Sequence, residues 1–96
     1  MKLAIIIHNI ADTKAIDEAI SKFDIKSFTR IEKATGKTIN CEPLFDTIVW
    51  PGYYSITIIE DVDNQLEKIR PEIKQIKENL RVKDLKYLEV NAENWI

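Results

Sequence analysis

An α+β sandwich, with two helices on one face of a four-stranded antiparallel sheet, is the fold class that this 96-residue sequence predicts. Three observations predict it. The runs Met1 to Ile10 and Tyr53 to Glu60 are dense in β-branched and aromatic side chains, as buried strands are. Two other stretches, from Thr13 to Phe23 and from Val62 to Leu80, repeat their apolar residues at helical spacing. Along the chain the patterns follow one another as strand, helix, strand, polar loop, strand, helix, strand.

The first strand is apolar on both faces, since Leu3, Ile5 and Ile7 point one way and Ala4, Ile6 and Ile10 the other. Asp12 or Thr13 can cap the helix that follows, in which Ile16, Ala19, Ile20 and Phe23 form the apolar stripe and Lys14, Asp17, Glu18 and Lys22 the polar side. From Lys26 to Glu32 the residues alternate, Phe28 and Arg30 against Ser27, Thr29 and Ile31, as in a strand near a sheet edge. The pattern breaks between Ala34 and Pro51, where Gly36, Pro43 and Pro51 punctuate a stretch that reads as a functional loop. Tyr53 to Glu60 is the third strand, ending at the turn Asp61-Val62-Asp63. The second helix carries Val62, Leu66, Ile69, Ile73, Ile76 and Leu80 in steps of four and three. Because that seam runs unbroken through Pro71, the expectation is one helix, bent, with Pro71 on the solvent side. A last strand follows Lys83-Asp84 with Leu88, Val90 and Ala92 on one face, and Trp95 and Ile96 are expected to be packed, across a subunit boundary if not within the chain. The resulting β-α-β-β-α-β order is that of a ferredoxin-like split βαβ domain occupying residues 1–96. Two helices cover one face of such a sheet, so the second apolar face calls for another subunit.

Composition narrows the function. With 14 basic and 16 acidic side chains the formal charge is -2, which gives no field for binding nucleic acid. Cys41 is the single cysteine, so no intrachain disulfide forms and a reducing, cytoplasmic setting is expected. The apolar first strand is too short to span a bilayer, and membrane insertion is not expected. His8, Cys41 and Glu42 are residue types that bind metals, but they lack ligand spacing, and no metal residue is assigned. Cys41 or Ser55 with His8 makes no local nucleophile signature, so no catalytic residue, cofactor or enzymatic activity is expected. Asp12, Asp17 and Glu18 read as helix-start and solvated acids, and Glu60, Asp61 and Asp63 as a capping cluster. Trp50, Tyr53 and Tyr54 are placed to stack on a ligand base or a partner, or to form interface core.

Two local words add a family resemblance. Thr29-Arg30-Ile31-Glu32-Lys33 leading into Thr35-Gly36-Lys37, and Trp50-Pro51 before Tyr54-Ser55-Ile56-Thr57-Ile58-Ile59-Glu60-Asp61, resemble the two flanks of the T-loop in PII-like signalling proteins. The resemblance implies a cyclic homotrimer whose sheets meet at its centre, an adenine nucleotide or related effector between subunits, and a loop that regulates a protein partner. Gly36 and Lys37 match by position, while Arg81 and Lys83 are the side chains that would meet an anion after the second helix. Thr38, Asn40, Cys41, Glu42, Asp46 and Trp50 are then the partner-contacting residues of the 36–50 loop. The sequence departs from the family where residues 79–85 contain no glycine, so the backbone cradle for phosphates is missing. The loop is also shorter than usual and has no tyrosine in a modification context at its tip. CutA-like trimers, linked with divalent metals, and ACT-like small-molecule-binding modules, which more often pair side by side, are the alternatives of related topology.

Overall fold

The computed structural model describes residues 1–96. Its elements are β1 (Lys2–Asn9), α1 (Thr13–Lys22), β2 (Phe28–Ala34), β3 (Tyr54–Glu60), α2 (Gln65–Leu80) and β4 (Lys86–Asn91). The strands form one antiparallel sheet in the order β2-β3-β1-β4, with the first strand at its centre, an arrangement compatible with a ferredoxin-like fold.

Both helices pack on one face. Ala4 and Ile6 from β1 and Ile59 from β3 meet Ile16, Ala19 and Ile20 from α1 and Leu66, Ile69 and Ile73 from α2, with Ile25 and Leu85 closing the ends. Each large aliphatic side chain buried there contributes about 1.5–3 kcal/mol of transfer free energy. The four-three seam of α2 is therefore its core face, with Leu66 and Ile69 fully buried, whereas Leu80 at the last turn is 44% exposed. Pro71 lies inside the helix on its exposed side, as expected; it removes one backbone donor without interrupting the element.

Several boundaries differ from the expectation, and at the starts of both helices a side chain outside the helix supplies the hydrogen bond. Neither Asp12 nor Thr13 caps α1: Asn9 Oδ1 accepts from the Ala11 N–H at 3.0 Å, starting a 3-10 turn over residues 10–12 that runs into the helix. The helix predicted from Val62 begins as another 3-10 turn, with Asp63 and Asn64 at positive φ, and becomes α-helical at Gln65. Asp61 Oδ1 accepts from the Leu66 N–H at 3.1 Å, the capping role expected for that acidic turn. β2 runs two residues past Glu32, to Ala34, with a register irregularity between Ile31 and Ala34. Trp95 and Ile96, expected to be packed, are 50% and 117% exposed, so no surface of the single chain holds them.

Gln65 latches the start of α2 to the connection between α1 and β2. Its Oε1 accepts from the Lys26 N–H at 2.9 Å, and its Nε2 donates to the carbonyls of Phe23 and Asp24 at 3.2 and 2.9 Å. Gln65→Glu removes both donated bonds and sets a carboxylate against two carbonyl oxygens. It is expected to cost about 1–3 kcal/mol, read as a lowered urea midpoint at unchanged slope; an unchanged midpoint would show that the latch is not stabilising.

The second sheet face has no cover. Ile5 stands between Ile58 and Leu88, Ile7 between Ile56 and Lys86, and Leu3 between Glu60 and Val90, while Thr29 and Ile31 extend the face across β2. Ile31, Leu88 and Val90 are 48, 41 and 37% exposed. Charge enters only at the ends, through Lys86 and Glu60. The two-faced first strand is thus central in the sheet, with one face in the core and the other open.

Candidate functional site

The segment between β2 and β3 is a folded arm with its own hydrogen bonds. Gly36 and Leu44 exchange both backbone bonds, at 3.0 and 2.9 Å, and Cys41 N–H donates to the Thr38 carbonyl at 3.0 Å across a turn in which Asn40 has φ 60°. A second turn follows: the N–H groups of Phe45 and Thr47 donate to the Trp50 carbonyl, Trp50 N–H donates to Thr47 Oγ1 at 2.9 Å, and Asp46 N–H reaches the Gly52 carbonyl at 2.8 Å. Gly52, at φ 89°, lets the chain turn back beside Leu44, a conformation that any β-carbon would strain.

The arm is tied to the sheet by the Thr38 hydroxyl, 3.1 Å from the Tyr54 hydroxyl, and by Lys33, whose Nζ is 2.6 Å from Asp46 Oδ2 and 5.0 Å from the centre of the Tyr53 ring. Beyond these ties the far turn presents Ile48, Val49 and Trp50 at 101, 74 and 37% exposure, and Ile39 and Phe45 are exposed as well. The structure therefore divides the residues expected to meet a partner. Thr38 is buried in the root, Cys41 is half-buried and Asp46 is paired, while Asn40, Glu42 and Trp50 face solvent. Ile48, Val49 and Ile39 were not among the sequence candidates. Their signal was the apolar run Ile48-Val49-Trp50 inside a stretch otherwise full of turn residues.

The residues expected to hold an effector lie at one end of the sheet but at its opposite edges. Gly36 and Lys37 follow β2, and Arg81 and Lys83 precede β4. That both sites share an end follows from the pairing of Ala34 with Tyr54, Tyr54 with Asn9 and Lys86 with Ile7. Three interstrand spacings, about 14 Å, separate the edges, so one chain alone does not bring the pairs together. Arg81 has φ 55° and ends α2 by donating its N–H to the Glu78 carbonyl at 3.3 Å; its side chain and that of Lys83 are exposed.

A polar cluster that the sequence did not reveal lies under α1. Arg30 Nε donates to Thr57 Oγ1 at 3.0 Å, and its Nη2 lies 2.6 Å from Asp17 Oδ1. His8, fully buried, has Nε2 3.4 Å from the same Thr57 hydroxyl and Nδ1 3.1 Å from the Asn9 carbonyl. These contacts fit a neutral ring, with Nδ1–H donating to Asn9 and Nε2 accepting from Thr57. Burial lowers the His8 pKa, the Asn9 carbonyl opposes that shift, and the positive charge of Arg30 adds to it. Asp12 is pushed up by burial and by the nearby Asp84. Ser55, the possible nucleophile, donates its hydroxyl to the Glu32 carbonyl at 2.6 Å. No three His, Cys, Asp or Glu side chains gather in a way that could hold a metal ion. No helix is long and apolar enough to cross a membrane.

A hollow of about 280 Å³ opens between α2 and β4, lined by Arg70, Ile73, Lys74, Lys77, Leu85 and Tyr87. It lies away from the 36–52 arm, at the β4 edge of the sheet. In comparisons with known proteins, no family model matches this chain and no curated protein shows significant sequence similarity to it.

Proposed function

We propose that the chain is a PII-like homotrimeric regulatory protein whose open sheet faces meet at the centre of the assembly and whose arm engages a protein partner. The observation that carries this reading is the pairing of an uncovered aliphatic sheet face with a hydrogen-bonded arm that ends in exposed Ile48, Val49 and Trp50. Monomers rarely leave a contiguous apolar surface of several hundred Å² in water. The open face, about 19 Å across four strands and about 17 Å along them, approaches that size before the arm is counted. A second copy of the chain suits this face because the face is aliphatic and nearly free of charge, as the inner faces of packed sheets are. The arm tip, apolar and carrying no cluster of cations, suits an apolar groove on a protein better than an anionic membrane surface.

Effector binding belongs to the same proposal. Lys37 lies off one sheet edge and Arg81 and Lys83 off the other, at the same end, so neighbours in a ring would bring the two edges together. The test is native mass spectrometry of the protein, alone and with ATP or ADP. The expected species has three times the 11.2 kDa chain mass and takes up to three nucleotides. A monomer at micromolar concentration would overturn the proposal; a dimer would point to side-by-side ACT-like pairing instead; a trimer that takes no nucleotide would remove the effector.

The arm has its own test. Replacing Ile48, Val49 and Trp50 together by Ser is expected to leave the circular dichroism and the assembly unchanged, because these side chains touch no core. It should abolish retention of any partner that the unmodified protein captures, since buried aromatic and aliphatic anchors carry most interface energy, about 2 kcal/mol or more each. Equal retention by both proteins would show that the arm tip is not the contact.

A further inference from the structure

The α2–β4 hollow is chemically distinct from the arm and from the open sheet face. Arg70, Lys74 and Lys77 recur at steps of four and three, so they form one stripe along α2, directly beside the buried stripe that contains Ile73. Like charges at such spacing repel across a helix surface unless something offsets them. Some cations in or beside the helices have acidic partners, Lys22 with Glu72 at 3.3 Å, Lys26 with Asp63 at 2.7 Å and Arg30 with Asp17 at 2.6 Å, whereas Lys14 and Lys68 stand alone on solvated faces outside any hollow.

Within the stripe only Arg70 is neutralised. Its Nε and Nη2 donate to the two oxygens of Glu89 at 2.5 and 2.9 Å, and the Tyr87 hydroxyl donates to Glu89 Oε2 at 2.7 Å. Glu89 is thereby satisfied, and it holds the Arg70 stem and the Tyr87 ring as fixed walls of the hollow. Lys74 and Lys77 are within ion-pair distance of no carboxylate, the set of pairs being Lys2, Lys22, Lys26, Arg30, Lys33 and Arg70 with their acids. The hollow thus has two unpaired ammonium groups at its rim and an apolar floor of Ile73, Leu85 and the Tyr87 ring.

We propose that this hollow binds a small organic carboxylate with a compact apolar body, its carboxylate between Lys74 and Lys77 and its body on Ile73, Leu85 and Tyr87. Size and charge define the class. A space of 280 Å³ corresponds to about nine water volumes, which suits a compact body of roughly ten non-hydrogen atoms. The polar groups that would orient the ligand are all donors or cations, because Glu89 is already saturated by Arg70 and Tyr87. A free amino acid would bring its own ammonium group towards Lys74 and Lys77 and is disfavoured, as is a bare anion that leaves the apolar floor wet. The inference stands apart from the arm and the sheet face, and either can fail without the other.

The test is a backbone amide NMR titration at low salt with 3-phenylpropanoate, phenylalanine and inorganic phosphate as probes. Shifts are expected to concentrate on residues 70–77 and 85–87 with 3-phenylpropanoate, with affinity at least about tenfold above that for either other probe. Lys74→Gln with Lys77→Gln should weaken it by about tenfold or more while leaving the rest of the spectrum and the melting temperature in place, both side chains being exposed. Equal binding of phosphate would reduce the site to bare charge and overturn the proposal. So would unchanged affinity in the double variant, shifts spread over the whole surface, or no shifts at millimolar probe.

Discussion

Ile58→Glu, alone or with Ile5→Glu, is expected to convert the proposed assembly into 11.2 kDa monomers that keep the native fold. Ile5 and Ile58 are cross-strand neighbours at the centre of the open face and are only partly covered in the single chain. A carboxylate there can reach water in the monomer, so the intrachain core is untouched. In a face-to-face assembly the same group would be buried without a partner, at a cost of several kcal/mol per chain. The favourable side is of similar size: about 300 Å² of apolar face, at about 25 cal/mol per Å², gives about 8 kcal/mol per chain before association entropy is subtracted. One charge per subunit is therefore enough to reverse the balance. Native mass spectrometry reads the assembly, and circular dichroism with thermal unfolding reads the fold. Persistence of the wild-type oligomer in Ile58→Glu would mean that the open face is not the contact.

Acidification from about pH 6.5 downward is expected to destabilise the fold through His8. Its folded pKa lies below the ordinary value of 6.5, since burial and Arg30 both disfavour the imidazolium. The unfolded chain then binds more protons than the folded one in this range, so stability is fully present above pH 6.5 and is lost as the pH falls towards the folded value. A charged ring would also have a second donor where Nε2 now accepts from Thr57. The acids act elsewhere. Glu89 and Asp63, held below 4.5 and 3.8 by Arg70 and Lys26, add stability that is lost only in stronger acid. Asp12, raised above 3.8, has the opposite sign near its own titration. The loss of stability expected between about pH 5 and 6.5 is the contribution of His8, which the raised Asp12 can only oppose. His8→Leu is expected to cost about 1–3 kcal/mol at pH 7 by stranding the Asn9 carbonyl, yet to flatten the stability curve over that interval. Urea midpoints across pH 5 to 8 check both halves; an equally steep acid limb in His8→Leu would remove the histidine as its cause.

The arm and the hollow show where local pattern stops being informative. Residue type along the loop points to polar and aromatic contacts, whereas exposure depends on which side chains the turns at Thr38–Cys41 and Thr47–Trp50 direct away from the root. Thr38 turned inward to Tyr54, and Ile48 and Val49 turned outward. In the same way Arg70, Lys74 and Lys77 read as an ordinary solvated helix face until β4 arrives beside them with Leu85 and Tyr87. Arg30 met Asp17, and His8 met Thr57, through pairs separated by 13 and 49 residues, beyond the reach of any spacing rule.

The elements, their order and the face each helix buries were legible in the amino-acid pattern. Those follow from periodicities of two and about three and a half residues, which are local properties of the chain. That pattern also revealed that β1 has two apolar faces, because alternation along one strand needs no knowledge of its neighbours. Packing settled that Gln65 joins α2 to the α1–β2 connection, and that Gly36 and Arg81 share an end of the sheet yet lie at opposite edges. Each of these depends on the strand order β2-β3-β1-β4, which brings distant segments within hydrogen-bond reach or holds them about 14 Å apart, and strand order is a property of the packed chain, not of any stretch within it.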